Sequence, residues 1–137
     1  MKNAISMKNH EFQKVYKSAK SIANNLLILY TKPCNLDNIN KLGVCASKTV
    51  GNSIARHRAC RLMREAYRHL EDKIKLNNYI IVIARPNITK VKEMEVEKAL
   101  YHLLKKSDLL NNSDKKNNDQ NEINEINEQN VEKEIND

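Results

Sequence analysis

The sequence predicts an α+β fold, with helices packed on a mixed four-stranded sheet in the order α-β-β-β-α-β-α. Three observations predict it. Tyr79-Ile80-Ile81-Val82-Ile83-Ala84 is an unbroken, largely β-branched apolar run, opened by a turn at Asn77-Asn78 and closed by Pro86, so it reads as a strand. On either side, Ser53 to Leu76 and Val91 to Lys106 carry apolar residues at helical spacing. Shorter apolar runs lie upstream, which gives the order helix, strands, helix, strand, helix.

The first helix follows Asn9, a candidate cap, and places Phe12, Val15, Tyr16 and Ala19 at i, i+3, i+4 and i+7 on one face. Ser21-Ile22-Ala23 reads as a short strand and Leu26 to Thr31 as a longer one. Pro33 to Asn40 is polar and asparagine-rich, as a loop should be. Leu42 to Ser47 is a third strand. Gly51 then breaks the chain before Asn52 or Ser53, either of which can cap the second helix. In the last helix Val96, Leu100, Leu103 and Leu104 share a face. Residues 1–110 are expected to form one domain. Residues 111–137 are built mainly from Asn, Glu, Asp and Lys, too polar to offset the entropy of ordering, and a disordered acidic tail is expected there.

The net charge of +7 conceals a split: residues 1–106 carry +13, and residues 107–137 carry −6. A domain that basic calls for an anionic partner, whether nucleic acid, an anionic membrane or an acidic protein. No apolar run approaches the roughly 18–20 residues that cross a bilayer. Met1 to His10 contains no apolar core of a secretory signal, so a cytoplasmic location without membrane association is expected. Cys34, Cys45 and Cys60 form neither a CxxC pair nor a disulfide framework, and they read as small buried or half-buried apolar residues.

The second helix carries the functional signal. On a wheel of about 100° per residue, Ala55, Ala59, Leu62, Met63, Ala66 and Leu70 gather on one side, while His57, Arg61, Arg64 and Arg68 form a stripe on the other. Arg56 and Arg58 flank the stripe, and Lys48 precedes the helix. A merely solvated face usually mixes signs in i,i+4 pairs, whereas no acid stands in this stripe. The planar guanidinium suits bidentate phosphate contacts and stacking on bases. An arginine-rich helix alone would serve DNA equally well. The strands argue against an all-helical helix-turn-helix, and three of the six aromatics, Phe12, Tyr16 and Tyr30, could line a groove for an unpaired strand.

Catalytic constellations are missing from the sequence. The four histidines, His10, His57, His69 and His102, are scattered, with no Cys or acid at metal-ligand spacing, so no metal site and no catalytic residue are expected. Gly43 and Gly51 are the only glycines, which leaves no glycine-rich phosphate loop.

Over residues 9–106 these blocks, taken in order, resemble the protein component of bacterial ribonuclease P. Glu11-Phe12-Gln13-Lys14-Val15-Tyr16-Lys17 resembles the family's opening helix. Leu42-Gly43-Val44-Cys45-Ala46-Ser47-Lys48, followed by Val50-Gly51-Asn52, resembles its strand-and-turn block. Arg56-His57-Arg58-Ala59-Cys60-Arg61-Leu62-Met63-Arg64-Glu65-Ala66-Tyr67 resembles its arginine-rich signature. The resemblance implies a left-handed β-α-β crossover through the arginine helix, against the usual hand. It implies that Lys48, Arg56, His57, Arg58, Arg61, Arg64 and Arg68 face a catalytic RNA, and that Phe12, Tyr16, Ile28 and Tyr30 line a cleft for the 5′ leader of precursor tRNA. Hydrolysis would then belong to magnesium ions bound mainly by the RNA subunit, with no obligate protein partner. This chain departs from the signature in having His57 where Asn is usual and Cys60 where a base is usual. A structural RNA-binding module and a binder of acidic proteins are the competing readings.

Overall fold

Five strands make the sheet, one more than the sequence suggests. The computed structural model describes residues 4–111. The elements run β1 (Ala4–Ser6), α1 (Asn9–Ser18), β2 (Lys20–Ala23), β3 (Leu27–Pro33), β4 (Asn40–Cys45), α2 (Ser53–Leu70), β5 (Asn78–Ala84) and α3 (Glu93–Lys106), with 3-10 turns at Glu71–Lys73 and Pro86–Lys90. The sheet order is β1-β4-β5-β3-β2. β1 was not expected because three residues carry no periodicity; it forms by parallel pairing with β4, Ala4 opposite Asn40 and Ser6 opposite Leu42. β4 and β5 are also parallel, joined through α2, while β3 pairs antiparallel with both β5 and β2. Helices on a mixed sheet are therefore the architecture. The predicted acidic tail falls almost entirely outside the described residues.

The two faces of the sheet have different covers. Leu27, Leu29, Leu42, Ile80, Val82 and Ala84 point to one side and join the main core with Leu62, Met63, Ala66, Tyr67 and Leu70 of α2 and Val96, Leu100, Leu103 and Leu104 of α3. Because side chains alternate along a strand, Lys41, Gly43, Cys45, Tyr79, Ile81, Ile83, Ile28 and Tyr30 point to the other side. Only α1 lies there.

Local chemistry explains where the helices begin and end. The side chain of Asn52 accepts the Ala55 N–H at 2.9 Å, so Asn52 rather than Ser53 is the cap of α2. Gly51 has φ +147°, a backbone region that L side chains rarely adopt. Asn52→Ala should cost about 1 kcal/mol of stability, read as a lower denaturant midpoint with an unchanged m-value. α2 stops at Leu70, not Leu76, because buried Asn40 and Asn78 capture the following backbone: both side chains donate to the Lys75 carbonyl, and Asn40 also reaches the Tyr67 hydroxyl at 3.3 Å. α1 is capped at Lys8, one residue before Asn9, with Glu11 accepting the Lys8 backbone N–H at 3.2 Å. α3 starts at Glu93 rather than Val91, since a 3-10 turn occupies Pro86–Lys90.

Candidate nucleic-acid interface

α1 is pegged to one side of its sheet face. Glu11 pairs with Lys41, which holds the Glu11 carboxyl below its usual range and raises the Lys41 ammonium. Ser18 Oγ accepts a hydrogen bond from Lys32 Nζ at 2.8 Å. Lys41 and Lys32 flank Tyr79 in a single cross-strand row. Phe12 lies over Gly43: a Cβ built there would sit 3.0 Å from Phe12 Cδ2, so glycine is what lets the ring reach the sheet. Val15 is buried beneath the helix.

This placement leaves the next row of the sheet uncovered. Cys45, Ile83 and Ile28 are aligned across β4, β5 and β3, and each is only half-buried. Beside them the aromatic rings form a ladder. Phe12 and Tyr16 are stacked, with centroids 6.2 Å apart and planes 10° from parallel, and Tyr16 meets Tyr30 at 4.7 Å. The Tyr30 hydroxyl donates to that of Tyr16 at 3.5 Å; burial, with this bond, pushes Tyr30 up to about 12. Tyr16 is 43% exposed. The four expected cleft residues are thus brought together. Ile83 and Cys45 complete the floor; sequence reading missed them because their place depends on cross-strand register, which the sequence does not print.

The arginine stripe emerges on α2 as expected. His57, Arg61, Arg64 and Arg68 are exposed, while Ala59, Leu62, Met63, Ala66, Tyr67 and Leu70 are buried. The rest of the basic set is less uniform. Arg56 and Arg58 are half-buried, and Arg58 donates to the Val91 carbonyl at 3.0 Å, which ties α2 to the segment entering α3. Arg68 is engaged by Glu65 at 2.7 Å, which lowers the Glu65 carboxyl and raises the guanidinium. Lys48 is exposed in the turn before the helix. Arg61 and Arg64 are therefore the exposed stripe arginines with no acid within salt-bridge distance among the described residues. Of the cysteines, Cys45 and Cys60 are half-buried, but Cys34 is exposed rather than buried.

One depression joins the two surfaces. It measures about 250 Å³ and is lined by Met7, Phe12, Leu42, Gly43 and Val44 together with Arg64. It opens where β1 ends, beyond which the outer edge of β4 has no partner strand among the described residues. The aromatic cleft and the arginine helix thus meet at one rim, where a bound strand can pass from stacking on rings to pairing with guanidiniums.

A model of the Ribonuclease P family matches residues 1–108. The chain belongs to that family. The ribonuclease P protein component of Alkaliphilus metalliredigens is 46% identical over 104 residues, covering 76% of this chain and 93% of the relative. That of Clostridium botulinum (strain Langeland) is 42% identical over 112 residues, covering 81% of this chain and all of the relative. Among solved structures, the RNase P protein of Staphylococcus aureus superposes with a TM-score of 0.66 at 34% identity, over 80% of this chain and 98% of that one. The RNase P protein of Thermotoga maritima shares the fold, with a TM-score of 0.67 at 23% identity over 74% of this chain and 96% of that one.

Proposed function

We propose that this chain is the protein subunit of a ribonuclease P holoenzyme, an endoribonuclease that removes the 5′ leader of precursor tRNA in the cytoplasm. Membership of the family supports the activity and the two RNA partners, the ribonuclease P RNA and precursor tRNA. The observation that carries the division of labour is the rim shared by Phe12 and Arg64. On one side, Arg61 and Arg64, with His57, Lys48 and Arg68, hold the catalytic RNA through its phosphates. On the other, Phe12, Tyr16, Tyr30 and Ile28 receive the single-stranded leader by stacking and apolar contact. Arg58 ties the helix to the segment entering α3, and both Arg56 and Arg58 contribute charge at its first turns.

Magnesium takes oxygen ligands, and the RNA-facing side of the chain offers guanidiniums and aromatic rings instead. The metal chemistry thus fits the RNA subunit. The protein's part is electrostatic and geometric. It lowers the repulsion between two polyanions and fixes the leader so that the scissile phosphate is positioned. No described helix is long and apolar enough to cross a membrane.

Binding of precursor tRNA by the reconstituted holoenzyme, compared with tRNA lacking the leader, tests the division. Tighter binding of the leader-bearing RNA, lost when the protein is omitted, is the expected outcome. Equal affinity for both substrates with protein present would support a purely structural RNA-binding role.

A further inference from the structure

Away from the cleft, the last turn of α2 meets the first turn of α3 at three metal-ligand side chains. His69 comes from α2, and Glu93 and Glu97 stand one turn apart on α3. His69 Nδ1 lies 3.3 Å from Glu93 Oε1 and 3.3 Å from Glu97 Oε2, and the three ligand atoms all fall within 4.8 Å of one another. Scattered in the sequence, these groups are assembled only by the packing of α2 on α3. We propose that His69, Glu93 and Glu97 bind a single divalent ion of the zinc class, which clamps the end of the arginine helix to α3.

An ion satisfies more of these groups than the imidazole alone can. Nδ1 carries at most one proton and is hydrogen-bonded to Glu97 Oε2 at 3.3 Å, so Glu93 Oε1, at the same distance, is left without one. The same distance is an edge of a tetrahedron. Metal–nitrogen and metal–oxygen bonds of about 2.0–2.2 Å place neighbouring ligand atoms about 3.3–3.5 Å apart. Glu93 Oε1 is shielded from solvent and has no hydrogen-bond partner, a costly state for a carboxylate oxygen that a cation would relieve.

On the far side of the ring Arg68 Nη2, itself held at 2.7 Å by Glu65, lies 3.4 Å from Nε2, and Glu65 Oε2 lies 4.0 Å from that nitrogen. A metal on Nδ1 would put the ring's proton on Nε2, where Glu65 is the nearby carboxylate that could take its hydrogen bond in place of Arg68. One imidazole with two carboxylates suits zinc and its neighbours, whereas magnesium and calcium prefer oxygen alone. The three side chains are 31–41% exposed, so an ion can enter and a water can complete the shell.

The test uses the full chain and zinc chloride, with zinc affinity read by competition against a chromophoric chelator and thermal unfolding followed with and without the ion. One equivalent of zinc should bind and raise the Tm, while magnesium at the same concentration should not. His69→Ala and Glu97→Gln should each weaken zinc about 10- to 100-fold and abolish the Tm rise, with far-UV circular dichroism unchanged. His10→Ala and Cys34→Ser should leave both readouts intact. No stoichiometric zinc binding, or the same affinity in both cluster variants as in the parent, would overturn the site and leave His69 as a hydrogen-bonding neighbour of the two carboxylates. An equal Tm rise with magnesium would overturn the zinc-class assignment.

Discussion

Arg61→Ala combined with Arg64→Ala lowers affinity for the ribonuclease P RNA by about 100-fold and reduces the salt slope by about two units. Each exposed guanidinium is expected to make one charge-assisted phosphate contact worth about 1.5 kcal/mol, or about tenfold. Each neutralised phosphate adds about 0.7–0.9 to the slope of log affinity against log salt. This pair is the informative one because Arg68 is already engaged by Glu65 and Arg58 by a backbone carbonyl. Filter binding at four or five salt concentrations measures both quantities. The double Arg→Lys variant should keep most of the slope and lose part of the affinity, since Lys retains charge without the planar fork. Unchanged affinity and slope in the alanine pair would place the RNA elsewhere.

Tyr16→Ala weakens binding of precursor tRNA to the holoenzyme by about 1–3 kcal/mol, the usual loss for one base–aromatic stack, and leaves mature tRNA unaffected. Tyr16 is the clean probe of the cleft. Phe12 is committed to packing over Gly43, so its removal would loosen α1 as well as the cleft. Tyr16 is 43% exposed, so part of its ring is open to a base although Phe12 and Tyr30 both contact it. Equal losses for precursor and mature tRNA would show that the ring acts on α1 docking rather than on the leader.

Much of this architecture can be read from the residues. The period of α2 separates Leu62, Met63 and Ala66 from Arg61 and Arg64, and burial follows that division closely. The run from Tyr79 to Ala84 forms the strand beside which β4 and β3 align. β1 was illegible because its three residues are a strand only by virtue of β4. α2 ends six residues before the sequence pattern does, since apolar Ile74 and Leu76 continue the helical pattern while the buried asparagines that halt it come from β4 and β5. For the site, the aromatic set and the stripe were readable, but not the row Cys45, Ile83 and Ile28, nor the engagement of Arg58 and Arg68. The meeting of His69 with Glu93 and Glu97 was invisible for the same reason. Glu93 and Glu97 have helical i,i+4 spacing, but only the crossing of α2 and α3 supplies the imidazole.

Cleavage of precursor tRNA by a bacterial ribonuclease P RNA at low magnesium, with and without this chain, tests the central claim most directly. Accurate 5′ cleavage that requires both components is the predicted result. No stimulation by a chain that still binds the RNA tightly would contradict it.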